Sequence, residues 1–189
     1  MFTKLAALTV LGLAAAQTVT VTVTVTAPCQ SVSSTTSAPS SSSTTSAPSS
    51  SSTAPPTASG KPIHPNGNTK KCLDVQGNVQ ANGTPVQIYD CNGSPAQNWV
   101  ISKGSTAVQL AGTQYCLDAS SSPGNGVGLK IWQCYPGLTQ QTWWYTDDNR
   151  IAVQGQGQCL DLTNGDLTNG VQQQTWQCTG GNTHQIWTQ

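Results

Sequence analysis

All seven acidic residues of this chain are Asp, and three of them fall in the same tripeptide: Cys72-Leu73-Asp74, Cys116-Leu117-Asp118 and Cys159-Leu160-Asp161. Each is followed by an aromatic beside a second Cys, in Tyr89-Asp90-Cys91, Trp132-Gln133-Cys134 and Trp176-Gln177-Cys178. Two residues before the aromatic stands Gln87, Lys130 or Gln174. A carboxylate accepts hydrogen bonds from two neighbouring hydroxyls, and charge-assisted bonds are the stronger kind. An aromatic face covers the apolar C–H side of a pyranose ring, and an amide offers both donor and acceptor to a remaining hydroxyl. The set suits recognition of a polyhydroxylated ring.

The same inventory is poor for catalysis. There is no Glu, and the chain holds two His, one Arg and one Met. A glycosidase needs two carboxylates in distinct environments. Here three of the Asp are repeat-equivalent, and Asp147-Asp148 lies in a Thr-Asp-Asp-Asn turn that suits solvated side chains. No Gly-x-Ser-x-Gly elbow occurs. Gly124-x-Gly126-x-Gly128 runs into a strand-like segment, which argues against a phosphate loop. Zero formal charge and 7% charged residues offer nothing to a nucleic-acid backbone. The reading is a chain with no catalysis, cofactor or metal.

Each copy closes with Gln-x-Trp, at Gln97-Asn98-Trp99, Gln141-Thr142-Trp143 and Gln185-Ile186-Trp187. The copies start 44 and 43 residues apart. A fixed period of this size means one supersecondary unit repeated, none able to bury its apolar face alone. Three copies favour a closed three-part body. Asn-Gly pairs at 82, 92, 125, 164 and 169 punctuate apolar runs of four to six residues. That spacing predicts short strands joined by tight turns. Four strands per repeat are expected: one before Cys-Leu-Asp, one on it, one on the aromatic-x-Cys run and one on Gln-x-Trp. The first strands are placed at Pro62–His64, Ala107–Leu110 and Ile151–Val153. Twelve such strands close into a barrel with a triplet of hairpins and no long open edge.

Residues 1–16, with Lys4, an apolar run and Ala14-Ala15-Ala16, have the pattern of a cleaved secretory signal, too short to span a bilayer. A secreted protein with lasting disulfides is expected, and no later stretch of the sequence is apolar enough for a membrane helix. Residues 17–30 carry a strict Thr-Val alternation and the lone Cys29. Residues 31–60 are nearly all Ser, Thr, Ala and Pro, the composition of a disordered, O-glycosylated stalk. Residues 61–189 form the folded domain, with repeats at about 61–106, 107–149 and 150–189.

The Cys pairs 72/91, 116/134 and 159/178 are separated by 19, 18 and 19 residues. Near-identical spacing favours one disulfide inside each repeat, each worth roughly 3 kcal/mol through loop-closure entropy. No Cys-x-x-Cys occurs and no His recurs with the pairs, which disfavours metal binding. Cys29 is left over and offers either an intermolecular bridge, giving a disulfide-linked dimer, or an inert thiol. Asn82-Gly83-Thr84 and Asn92-Gly93-Ser94 are sequons in turns, expected as N-glycosylation sites.

Three registered copies of Cys-Leu-Asp and Gln-x-Trp resemble the ricin B-type lectin family, and are similar also to the trefoil carbohydrate-binding modules attached to xylanases. The resemblance covers residues 61–189 and implies an all-β fold, a β-trefoil. It implies that Trp99, Trp143 and Trp187 are core residues, and that Gln97, Gln141 and Gln185 hold loops beside the site. The family's sugar pocket uses the Asp, the polar residue and aromatic of the polar-x-aromatic-x-Cys run, and the residue before Gln-x-Trp. Carried over, the first repeat offers Asp74, Gln87 and Tyr89, with Ala96 where Asn is usual. The second offers Asp118 and Trp132, with Lys130 in the amide place and Gln140 in the Asn place. The third offers Asp161, Gln174, Trp176 and His184. The implied function is a secreted lectin for glycans of galactose type or a xylan-like polysaccharide, extracellular or held at a cell wall. The alternatives are a wall interaction protein with a non-binding trefoil, or a trefoil proteinase inhibitor.

Overall fold

A computed structural model describes residues 59–189. The expected leader, the Thr-Val segment with Cys29 and the Ser/Thr/Pro tract through residue 58 lie outside the described residues.

The strands expected in each repeat are present. The first repeat contributes β1 (His64–Pro65), β2 (Lys71–Val75), β3 (Val86–Asp90) and β4 (Trp99–Val100). Next come β5 (Gly104–Thr106), β6 (Gln109–Leu110), β7 (Tyr115–Asp118), β8 (Val127–Gly128), β9 (Lys130–Gln133) and β10 (Trp143–Tyr145). The third repeat contributes β11 (Ile151–Val153), β12 (Gln158–Asp161), β13 (Gln174–Gln177) and β14 (Trp187–Thr188). Among the described residues, helical structure is confined to three-residue 3-10 turns, and no helix is long and apolar enough to cross a membrane.

Closure is read from the pairing. The last strand of each repeat is antiparallel to the first of the next: β4 with β6, β10 with β11, and β14 back to β1. The hairpins β2–β3, β7–β9 and β12–β13 form the capping triplet. They meet in a ring of backbone hydrogen bonds, Val86 N–H to Leu129 O (3.0 Å), Leu129 to Gln173 (2.8 Å) and Gln173 back to Val86 (2.8 Å). One Asn-Gly turn per repeat also docks on another hairpin: Gly83 N–H donates to Ile131 O, Gly126 to Thr175 O and Gly170 to Ile88 O.

Two strands exceed the expected twelve. β8 pairs with β13 through Gly128↔Gln174, and the equivalent contacts elsewhere are the single bridges Pro85↔Lys130 and Gln87↔Gln172. It is therefore one of three like contacts, slightly extended. β5 adds an outer partner to β10. The Gln of Gln-x-Trp, expected on a strand, instead ends a 3-10 turn, and the strand opens at Trp99, Trp143 or Trp187. The turn aims the amide inward.

The core holds the three Gln-x-Trp indoles, all fully buried, with Leu73, Leu117 and Leu160 of Cys-Leu-Asp and Ile88, Leu129, Ile131 and Ile151. Each indole Nε1 donates to the Leu carbonyl of its own repeat, at 2.9 Å (Trp99 to Leu73), 3.1 Å (Trp143 to Leu117) and 3.0 Å (Trp187 to Leu160). Disulfides join Cys72–Cys91, Cys116–Cys134 and Cys159–Cys178, one per repeat.

One core position breaks the symmetry. Gln173 is fully buried where the other repeats place Val86 and Leu129, and its Oε1 has no partner among the described residues. Its Nε2 donates to Val171 O, which also receives Ile88 N–H. A buried acceptor left unpaired costs about 1–3 kcal/mol. Gln173→Leu should therefore raise stability by about 1 kcal/mol in denaturant titration. A loss would show that the amide is satisfied.

Candidate functional site

Antiparallel register assembles each candidate site. On β2 and β3, Asp74 lies opposite Gln87 and Cys72 opposite Tyr89. Alternation sends Leu73 to the core and puts these four on the other face. The same register sets Asp118 opposite Lys130 and Cys116 opposite Trp132, then Asp161 opposite Gln174 and Cys159 opposite Trp176. Each disulfide fastens the hairpin end beside its aromatic.

Three shallow cavities result, related by the repeat. The first, about 320 Å³, is lined by Asp74, Gln87, Tyr89, Asn78, Asn92 and Ala96. The second, about 310 Å³, is lined by Asp118, Lys130, Trp132, Gln140, Ser120 and Ser121. The third, about 180 Å³, is lined by Asp161, Gln174, Trp176, His184, Asn164 and Asn182. The carboxylates form the floors and are 2–4% exposed, whereas Tyr89 and Trp176 stand 38% and 41% exposed at the rims.

The Gln-x-Trp amides fix those floors. Gln97 Nε2 donates to Asp74 Oδ2 (3.0 Å) and Asp90 O (2.9 Å), while its Oε1 accepts Asn92 N–H (2.8 Å). Gln141 repeats this with Asp118 Oδ2 (3.1 Å), Gln133 O (3.0 Å) and Tyr135 N–H (2.9 Å). Gln185 does so with Asp161 Oδ2 (3.1 Å), Gln177 O (3.0 Å) and Thr179 N–H (2.9 Å). All three are buried and fully engaged, which gives Gln97 and Gln185 a positioning role beneath the cavity. The other carboxylate oxygen faces the neighbouring strand. Gln87 Nε2 donates to Asp74 Oδ1 at 2.8 Å and Gln174 Nε2 to Asp161 Oδ1 at 3.0 Å. Burial holds the Asp74 carboxyl above the usual carboxylate range, against the opposing pull of the Gln87 and Gln97 amides.

The second repeat departs. Lys130 Nζ lies 3.2 Å from Asp118 Oδ1, which also accepts Ser120 N–H at 2.8 Å. In the first repeat Ala96 is buried, and the amides of Asn78 and Asn92 line the cavity instead. His184 packs over Gly165, whose Cβ, if present, would fall 2.5 Å from the imidazole Nε2. That glycine keeps the third cavity's wall in place.

A family description of the ricin-type β-trefoil lectin domain matches residues 62–187. The chain belongs to this lectin family. Solved structures share the fold of its lectin domain. A designed three-fold symmetric protein, ThreeFoil, is 21% identical, with 67% of this chain and 94% of that one covered and a TM-score of 0.58. The agglutinin from Abrus precatorius is 19% identical over 67% of this chain and 46% of its own, with a TM-score of 0.56. The C-half of an earthworm R-type lectin, solved with GalNAc, is 22% identical over 67% and 94%, with a TM-score of 0.53. No curated protein matches the chain. Membership makes this a carbohydrate-binding type of domain, in a family that is generally non-catalytic.

Asn78, Ser120, Ser121, Asn164 and Asn182 line the three cavities without having been legible as site residues. Asn78, Ser120 and Asn164 have positive φ, which sequence signals only weakly outside Gly. The sequon Asn92 borders the first cavity, and the Asn82 Oδ1 accepts Gln133 N–H at 2.7 Å. His64 Nδ1 donates to Lys71 O and sits 3.6 Å from Cys91 Sγ, but that sulfur is bonded to Cys72, which leaves no thiolate for a metal.

Proposed function

We propose that the protein is a secreted lectin that binds glycans through up to three shallow pockets and carries out no catalysis. The observation that supports it best is the shared construction of the pockets: a recessed Asp locked by a buried Gln, beside an aromatic left at the rim. A fold that used these Asp residues only as turn caps would not need Tyr89 and Trp176 exposed above them. Hydroxyls of a pyranose reach the free lone pairs of the carboxylate while the ring lies on the aromatic. Galactose-type sugars and xylan-like chains are the candidate ligands. Intramolecular disulfides accord with an oxidising, extracellular setting. In this reading the 31–60 tract is a stalk, and Cys29 can link two chains.

The third pocket is the strongest for neutral sugar, the first next and the second weakest. Asp161 Oδ1 meets one amide, whereas Asp118 Oδ1 is taken by both Ser120 N–H and Lys130 Nζ. Asp161→Asn should reduce retention on a neutral polysaccharide column more than Asp118→Asn, with melting temperatures compared to exclude unfolding. Equal or reversed losses would refute the ranking. A glycan array on the mature chain identifies the sugar; no binding on any glycan, with a native melt, would leave the wall-interaction reading in its place.

A further inference from the structure

We infer that the second-repeat pocket is specific for an acidic sugar, a pyranose bearing a carboxylate, and that Lys130 sets the preference. The inference rests on the lectin reading above and concerns one of its three pockets. Asp74 and Asp161 are opposed across their hairpins by neutral amides, Gln87 and Gln174, so the first and third cavities each present an uncompensated carboxylate. An anionic sugar entering either one is repelled. In the second cavity Lys130 is the residue opposite Asp118, and its ammonium stands 3.2 Å from Oδ1, so the floor is neutral overall.

The remaining hydrogen-bond capacity there favours an acceptor. Asp118 already receives Ser120 N–H and Lys130 Nζ at Oδ1 and Gln141 Nε2 at Oδ2, which leaves little for sugar hydroxyl protons. Lys130 Nζ also donates to Ser120 Oγ, and two partners leave one of its three N–H donors unspent. The Lys130 side chain is 23% exposed, so the ammonium is reachable from the cavity. Ser120, Ser121 and Gln140 add further donors around it, and Trp132 supplies the ring platform. Ser120 holds a positive φ of 67°, which keeps its N–H on the Asp118 carboxylate, two residues back. A carboxylate on the pyranose would take the free Lys130 proton and a hydroxyl or amide donor together. Such bonds are charge-assisted and weaken with salt.

The test compares binding of trigalacturonate with that of a neutral galactotriose. The full chain is used as wild type, Lys130→Gln and Lys130→Arg, with melts of each. Lys130→Gln should lower the acidic-to-neutral affinity ratio about fivefold to tenfold and remove the salt dependence of the acidic ligand. Lys130→Arg should keep both. An unchanged ratio in Lys130→Gln, or a wild type that binds only the neutral trimer, would overturn the inference while leaving the lectin reading standing. A wild type that binds neither trimer nor any arrayed glycan would overturn both.

Discussion

Replacing Trp187 by Ala is expected to lower the free energy of unfolding by about 4–5 kcal/mol, within the range for truncating a buried Trp. The indole is fully buried, and its Nε1 bond to Leu160 O at 3.0 Å would leave an unpaired carbonyl behind. Its backbone also carries the closure, since Pro65↔Trp187 joins the last strand to the first and Trp187 O accepts the buried Tyr145 hydroxyl at 2.9 Å. The contrast is Trp144→Ala one repeat away. That side chain is 47% exposed, and its loss should fall within about 0.5 kcal/mol. Urea titration of both variants checks the pair. A small loss at Trp187 would contradict its place in the core.

The second large effect concerns binding to a surface. A pocket of one carboxylate, one amide and one aromatic makes few contacts, so single-site affinity should lie near millimolar, about −4 kcal/mol. Several pockets on one rigid body gain on the order of 10²–10⁴ in avidity on a dense glycan. Removing both exposed platforms, as Tyr89→Ala with Trp176→Ala, should therefore cut retention on a neutral polysaccharide by about 10²-fold or more. Either single change should cost far less when read by calorimetry with a monosaccharide. Tight monosaccharide binding with no gain on the polymer would refute the multivalent account.

The three-fold body was legible because the repeat is written in residues that do structural work. Trp99, Trp143 and Trp187, the Leu of each Cys-Leu-Asp and the Cys pairs all recur in register and all take equivalent places. The strand at Ile151–Val153 was placed to the residue, because Ile and Val fit a buried strand and Asn149 and Gly155 flank it with positive φ. The first strand was placed early, at Pro62–His64, and forms at His64–Pro65, where its partner is the distant β14. Pairing across such a separation leaves no local mark. The inward 3-10 turn at each Gln was hidden for a similar reason: it is set by the buried Asp that the Gln amide meets.

The candidate sites were half legible. Asp, polar residue and aromatic lie on facing strands, so their spacing translates directly into one cavity wall. The rest of each wall comes from loops. Asn78 and Asn164 enter through positive-φ backbone conformations that no spacing rule encodes, and Asn182 enters from the loop before the last 3-10 turn. The burial of the carboxylates was also unreadable, since it depends on the Gln amides that meet them from the 3-10 turns. Gln173 shows the opposite case, a polar residue fully buried at a core position of the axis.

The most direct test of the pocket account removes all three platforms at once. Wild type and the triple variant Tyr89→Ala, Trp132→Ala, Trp176→Ala are compared on a glycan array, with melting curves and disulfide mapping alongside. These aromatics lie outside the buried core, so the fold should survive. The account predicts that wild type binds a defined set of glycans and that the triple variant, with its three disulfides and its melt intact, binds none of them. A natively folded triple variant that retains the wild-type binding pattern would contradict it.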